Sequence, residues 1–291
     1  MKKNNLNFAI IDIGSNSVRI MYADGNFYNK QLITTRLGEG LHSSGMLSSV
    51  AINRTVEALK TLYKRAISLG YEKVYAFATA SVREAVNGAD FCRIVKEQVG
   101  ITIEVISGDD EALLGILGAV KGSEGGIIDI GGASSEVAYK VGGQVVYEHS
   151  LKLGAVKVFD ECGKDFNKCR DFISSAVSKY PEFDGGNKTF YAIGGTATSL
   201  ASIILNLKEY NPLEVDGLVI TFEKLNKTLN ALFSMSSEEI SLKYAVDYKR
   251  AEIIAGGALI LSHIMSKFNL DKVVVSEGDN LEGYAIYRGL V

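Results

Sequence analysis

The chain is sparing in several of the residues that usually betray a function. It has three cysteines, Cys92, Cys162 and Cys169, an odd number without C-x-x-C spacing. That argues against a disulfide framework and fits a reducing compartment. Its three histidines, His42, His149 and His263, stand alone, without an H-x-x-H, a His-Asp doublet or a cysteine pair nearby. A histidine-based metal centre is therefore not expected, and they read as surface or core residues. The two prolines, Pro181 and Pro212, both lie in the second half, in segments that read as loops. Net charge is only −3, so no overall field attracts a polyanion and nucleic-acid binding gains no support. A polyanionic ligand would have to be met by locally gathered Lys and Arg. No apolar run approaches membrane-spanning length. The basic start Met1-Lys2-Lys3-Asn4-Asn5 precedes an apolar run, Phe8 to Ile13, that Asp12 interrupts and that is too short for a secretion signal. A cytoplasmic protein with no membrane partner is expected.

What the chain does have is a repeated string. Ile10-Ile11-Asp12-Ile13-Gly14 recurs as Ile127-Ile128-Asp129-Ile130-Gly131. Each copy is a β-branched run delivering an aspartate and a glycine, which predicts a buried strand ending in a tight turn. Registered on the aspartates, Ser15 to Ile20 fall opposite Gly132 to Val137, and both turns are rich in glycine and hydroxyls. Second strands are expected at Val18 to Tyr22 and Glu136 to Lys140. Free N–H groups in such hairpin turns can form a nest for an anion. A single copy would read equally well as an ordinary hairpin turn; two copies imply two related domains facing one cleft.

Between and after the copies, strands alternate with helical patterns, which defines an α/β protein. Leu47 to Leu69 carries an apolar stripe of Ile52, Val56, Leu59, Leu62 and Ala66, starting at Ser48/Ser49 and stopping at Gly70. Strands are expected at 74–78, 101–106, 188–193 and 272–275, and helices near 90–99, 109–120, 196–205, 222–233 and 250–268. Gly122, Gly125 and Gly126 bracket the crossover, so the domains are read as 1–122 and 123–291. A C-terminal helix near 281–291 is expected to pack back on the first. Ser236 and Glu239 form a capping-box pattern.

Asp12 and Asp129 end buried strands, where an ionised carboxylate is costly unless hydrogen-bonded or bound to a cation. A magnesium-bound phosphate between two nests would satisfy both, although each aspartate could equally cap its own turn. Gly108-Asp109-Asp110-Glu111-Ala112 places acids where a strand passes into a helix. The helix dipole favours them there, and one left over could act as a water-activating base. Ala78 to Glu84 follows a strand, and its hydroxyls and Arg83 could reach phosphate, or Arg83 could pair with a nearby acid. Gly194-Gly195-Thr196 reads as a turn opening a helix, the geometry that seats an anion.

These residues resemble the exopolyphosphatase/guanosine pentaphosphate phosphohydrolase (Ppx/GppA) family of the actin–hexokinase–Hsp70 superfamily. The resemblance runs through Ile11 to Arg19 with its Ser-Asn-Ser turn, Ala78 to Ala85, Ile106 to Ala112, Asp129 to Glu136, Leu153 to Lys157, Gly194 to Thr196 and Arg250 to Ile254. It implies two duplicated ribonuclease H-like (actin-like) domains around an interdomain cleft. The implied activity is Mg²⁺-assisted release of terminal phosphate from polyphosphate or guanosine pentaphosphate, with a second copy of the chain as a candidate partner. It further implies Glu111 as general base, Asp129 and Glu136 with Asp12 as metal-binding acids, and Asp129 as part of the catalytic set. Gly14, Ser15, Asn16, Ser17, Arg19, Arg83, Gly131, Gly132, Ser134, Gly195 and Thr196 become phosphate contacts. The chain departs from the family pattern at Asp110, at Ala133 in place of a third glycine, at Lys157 for arginine and at Leu281 for arginine. Ala133 is tolerable only if its φ is negative. Longer members append a helical domain, so this short form is expected to work distributively. An ATP-using kinase or ATPase of the same superfamily, or a polyphosphate- or nucleotide-binding regulator without turnover, would use the same turns.

Overall fold

The computed structural model describes residues 7–24, 27–244 and 246–291; the basic stretch 1–5 lies outside the described residues. The chain divides into two compact units, Met1–Asp110 with Tyr284–Val291, and Glu111–Gly283.

The first unit is built on β1 (Phe8–Ile13), β2 (Ser17–Asp24), β3 (Phe27–Thr34), β4 (Lys73–Ala78) and β5 (Glu104–Val105), in the order β3-β2-β1-β4-β5. The first three run antiparallel as a meander, and β4 and β5 join in parallel. Every residue of β1 is buried, as a continuous β-branched run in a central strand must be. Around the sheet lie α1 (Leu41–Ser44), α2 (Ser49–Ser68), α3 (Ala80–Glu84) and α4 (Gly88–Val99). The Ser48 hydroxyl caps α2 by accepting from the Ala51 amide at 3.1 Å. Its stripe of Ile52, Val56, Leu59, Leu62 and Ala66 is buried in the unit's core.

The second unit takes up the chain within α5 (Gly108–Ala119) and adds β6 (Gly125–Ile130), β7 (Ser135–Val141), β8 (Gln144–Leu151), α6 (Ala155–Cys162), α7 (Phe166–Val177), β9 (Phe190–Ile193) and α8 (Gly194–Leu205). After these come α9 (Pro212–Val215), β10 (Val219–Thr221), α10 (Phe222–Ser234), α11 (Ser237–Lys243), α12 (Tyr248–Lys267), β11 (Lys272–Val275) and α13 (Asn280–Tyr287), whose last residues belong to the first unit. Strand order is β10-β11-β9-β6-β7-β8. From the other edge, β8-β7-β6-β9-β11 repeats the order of the first sheet, with β10 added outside. The protein is thus a duplicated ribonuclease H-like α/β fold. Helix α12 is apolar almost all round and is correspondingly buried. The Ser236–Glu239 capping box is present, with both reciprocal hydrogen bonds made.

The units part at Asp110/Glu111, ahead of the residue 122 read from the sequence. Of the glycines read as bracketing the crossover, Gly125 and Gly126 are buried residues of β6. Gly126 lies so close under Phe190 and Tyr139 that a Cβ would come within 2.4 Å of one ring and 2.7 Å of the other. At the C-terminus, Tyr284 belongs to the first unit, where it stacks on Phe77 with ring centroids 4.9 Å apart and donates to Glu104 at 2.7 Å. The expected strand over 101–106 pairs only at Glu104–Val105, because β5 meets only the last two residues of β4. Cys92, Cys162 and Cys169 are free thiols, and burial pushes Cys169 up to about 12. No helix of the described residues is long and apolar enough to cross a membrane.

Candidate active site

The two repeats fold into hairpins closed by the same hydrogen bond. The Gly14 amide donates to the Ser17 carbonyl at 3.0 Å, and the Gly131 amide donates to the Ser134 carbonyl at the same 3.0 Å. A Cβ on Gly14 would stand 3.2 Å from that carbonyl, and one on Gly131 3.3 Å, so both turns favour glycine at the same corner. Ala133, in the third-glycine place, is not among the described residues with positive φ, so its methyl brings no backbone strain.

The register is also the same, with a different outcome in charge. Asp12 stands opposite Arg19, and Asp129 opposite Glu136. In the first hairpin Arg19 forks onto Asp12 Oδ2, with Nε at 3.0 Å and Nη2 also in contact. Asp12 is nearly buried and Arg19 partly so, which makes the pair costly to break by removing one partner. In the second hairpin two buried acids face each other instead.

In the first unit, Ser15, Asn16 and Ser17 are buried beneath the segment that follows β3. The amides of Thr35 and Arg36 donate to the Asn16 carbonyl at 3.0 and 2.8 Å, and Gly38 donates to Ser15 at 2.9 Å. Arg36 is buried and holds a left-handed backbone with φ 49°, and strain of this kind is tolerated only where the surroundings impose it. Arg36 belongs to none of the motifs in the sequence, and only the fold of Thr35-Arg36-Leu37-Gly38 over the first turn brings it to notice. Arg83 lies on α3 and donates to the Ile106 carbonyl at 2.7 Å.

In the second unit the N-terminal turn of α6 buttresses the hairpin. Ala155 donates to Gly131, and Val156 and Lys157 donate to Gly132, at 2.9, 2.9 and 3.1 Å. Gly154 permits this approach, since a Cβ there would fall 2.3 Å from the Gly132 backbone. From below, Tyr180 donates to the Ser135 carbonyl at 2.7 Å, and burial holds its phenol well above the usual range, so it stays a donor. Ser150 donates to Glu136 Oε1 at 2.7 Å.

Asp129 is buried between two elements. Its Oδ1 lies against Gly194, where a Cβ would come within 2.5 Å and where φ is 74°, so glycine is required. Its Oδ2 accepts from Asn280 Nδ2 at 3.3 Å. Next along, Gly195 lies under the buried Arg250 guanidinium, with the Nη2 2.5 Å from where its Cβ would be, and Thr196 donates to the Ile130 carbonyl at 2.7 Å. The start of α8, a helix N-terminus suited to anions, is thereby joined to Asp129 on one side and to a cation on the other. Arg250 and Asn280 belong to the resembling or departing segments of the sequence, but nothing local marked either as a site residue.

Glu111 opens the second unit on α5. Its neighbour Asp110 is taken up in a cap: Ser107 donates to Asp110 Oδ2 at 2.7 Å and accepts from the Asp110 amide at 3.0 Å. Glu111 instead faces inward and is buried at 7% exposure, on the same helix face as Gly115 one turn later. A Cβ on Gly115 would lie 3.3 Å from Asn280 Oδ1, so the face of α5 that carries Glu111 packs against the side chain that donates to Asp129.

Among the described residues no group of three or more His, Cys, Asp or Glu is gathered for a metal. The opposed carboxylates of Asp129 and Glu136 nevertheless suit Mg²⁺, which takes one or two protein carboxylates and fills its shell with water and substrate oxygen. Like charges directly across a strand pair are unfavourable, and a cation would relieve them.

A model of the Ppx/GppA phosphatase family matches residues 27–288, and the chain belongs to that family. It is 29% identical, over 99% of its own length, to a bifunctional 3-dehydroquinate synthase/phosphatase of Fusobacterium nucleatum, of which it spans 47%. It is 26% identical to exopolyphosphatase 2 of Mycobacterium tuberculosis, covering 96% of this chain and 97% of that protein. Among solved structures, the Ppx/GppA family member of Aquifex aeolicus matches at 29% identity and a TM-score of 0.77, over 98% of each chain.

Proposed function

We propose that the protein is a phosphohydrolase that releases the terminal phosphate of inorganic polyphosphate, with guanosine pentaphosphate as a second substrate, and that Mg²⁺ is its metal. The observation that carries this reading is the pairing of Asp129 with Glu136 beside the start of α8, in a chain of the Ppx/GppA phosphatase family. The relative named exopolyphosphatase 2, matched over nearly all of both chains, supports the polymer as substrate.

In this reading Asp129 and Glu136 hold the metal, which supplies charge neutralisation on the phosphoanhydride. The amides of Gly132 to Ser134, in the turn that the Gly131 amide closes, and of Gly195 and Thr196 bind the oxygens of the terminal phosphoryl group. Arg250, lying over Gly195, adds positive charge where the transferred group is most negative. Glu111, buried on α5, takes the proton of the attacking water. The first hairpin, with Ser15, Asn16 and Ser17, supplies the phosphate contacts of the first unit, and Arg19 keeps Asp12 in place there. Three free thiols without a disulfide agree with a cytoplasmic enzyme.

Phosphate release from polyphosphate and from guanosine pentaphosphate, each with Mg²⁺ and with EDTA, tests the reading. Release from the polymer is expected with Mg²⁺ and not with EDTA. A folded, metal-supplied protein that frees no phosphate from either substrate would contradict it.

A further inference from the structure

Asn280 is 2% exposed, at the first residue of α13, and its amide donates to Asp129 Oδ2. It is not needed as a helix cap. Asp279 fills that place, accepting from the Leu281 amide at 2.9 Å, while Glu282 accepts from the Asp279 amide at 3.0 Å. Turning the amide round would set its oxygen against the Asp129 carboxylate, so the nitrogen must face the acid. The Asn280 oxygen is then left buried without a hydrogen-bond partner, an unfavourable placement for a polar atom. A buried apolar residue would avoid that cost, as Leu281 does next door at 0% exposure.

The backbone around Asn280 leaves little room for adjustment. A Cβ on Gly118 would meet the Asp279 carbonyl at 1.9 Å, and one on Gly283 would meet the Leu114 carbonyl at 1.9 Å. Helices α5 and α13 thus touch backbone to backbone on either side of the amide. Gly115, between them, leaves the space its oxygen occupies. The same α5 face carries Glu111 one turn earlier.

We propose that Asn280 is a positioning residue: from a rigid α5–α13 contact it fixes the Asp129 carboxylate in the orientation that receives the metal ion. The role given to Asp129 rests on the phosphohydrolase reading. The cost of the buried amide oxygen is accepted because an apolar side chain could not orient the acid. Residues that orient a metal ligand contribute about 10–100-fold to affinity or activity.

The test is Mn²⁺ binding to the substrate-free protein, read by electron paramagnetic resonance, for native protein, Asn280→Leu, Asn280→Ala and Asp129→Asn. Leucine removes the orphaned oxygen but also the donor to the buried Asp129, so the two effects offset and its melting temperature should stay close to native, yet Mn²⁺ affinity should fall ~10-fold or more. Alanine gives the same loss without added bulk, and either folded variant suffices. Adding Asn280→Leu to Asp129→Asn should cost no further affinity, because the two act on one carboxylate. Native protein that does not bind Mn²⁺, or Asn280→Leu and Asn280→Ala within twofold of native, would overturn the proposal. If phosphate release fails while the Mn²⁺ cycle behaves as stated, the hydrolase reading falls and the positioning role stands.

Discussion

Asp129 and Glu136 stand directly opposite each other across β6 and β7, in the register that places Asp12 opposite Arg19 across β1 and β2. One hairpin therefore carries its own counter-ion and the other gathers two acids. The two copies share the backbone register and differ in charge: the first sets an arginine opposite its aspartate, and the second sets a glutamate there.

Glu136→Gln keeps size and hydrogen bonding but removes one of the facing charges. Without metal, the variant should melt at or above the native temperature, because a repulsion has gone. With metal, phosphate release should fall ~10²-fold and its dependence on Mg²⁺ concentration should weaken. A native Mg²⁺ titration would remove Glu136 from the ligand set.

Arg19→Ala breaks the other pair. The loss of a guanidinium from the nearly buried Asp12 should cost about 1–3 kcal/mol in urea unfolding, and Asp12→Ala should add little on top of it. Unchanged stability with a raised KM would instead mean that Arg19 serves the substrate rather than Asp12.

Gly154→Ala should be among the most damaging single methyl additions in the second unit. The new Cβ would sit 2.3 Å from the Gly132 backbone, so α6 or the phosphate turn must move, at a cost of about 1–3 kcal/mol or more. Activity should fall with stability, whereas Gly142→Ala, in open space although at positive φ, should leave activity intact. Native turnover in Gly154→Ala would show that α6 does not set the turn.

With a net charge of −3, substrate is held by local contacts alone. Affinity for polyphosphate should drop steeply with added salt, and partial digests should run as a ladder of intermediate lengths, as expected of a distributive enzyme. A gel with only full-length polymer and end product would reveal a retention surface elsewhere on the molecule.

Much of this was legible locally. A β-branched run ending in Asp-Gly carries its own strand and turn, and the stripe of α2 announces one buried face, so both were readable within a residue or two of their ends. What escaped depends on contacts between distant segments. Asn280 meets Asp129 across 151 residues, and Arg250 meets Gly195 only because α12 lies over α8. Gly115, Gly118 and Gly283 are ordinary glycines in sequence and close helix contacts in space. Gly126, which marks the crossover in sequence, is in space a strand residue close beneath two aromatic rings. The choice of Glu111 over Asp110 gains a physical reason only when Asp110 is found in the Ser107 cap.

The most direct measurement is turnover by Glu111→Gln beside its binding of polyphosphate. The amide keeps the shape of the side chain but cannot take a proton from water, so phosphate release should fall ~10³-fold or more while the dissociation constant stays within a few-fold of native. Near-native release by the folded variant would show that the attacking water is activated by something other than Glu111.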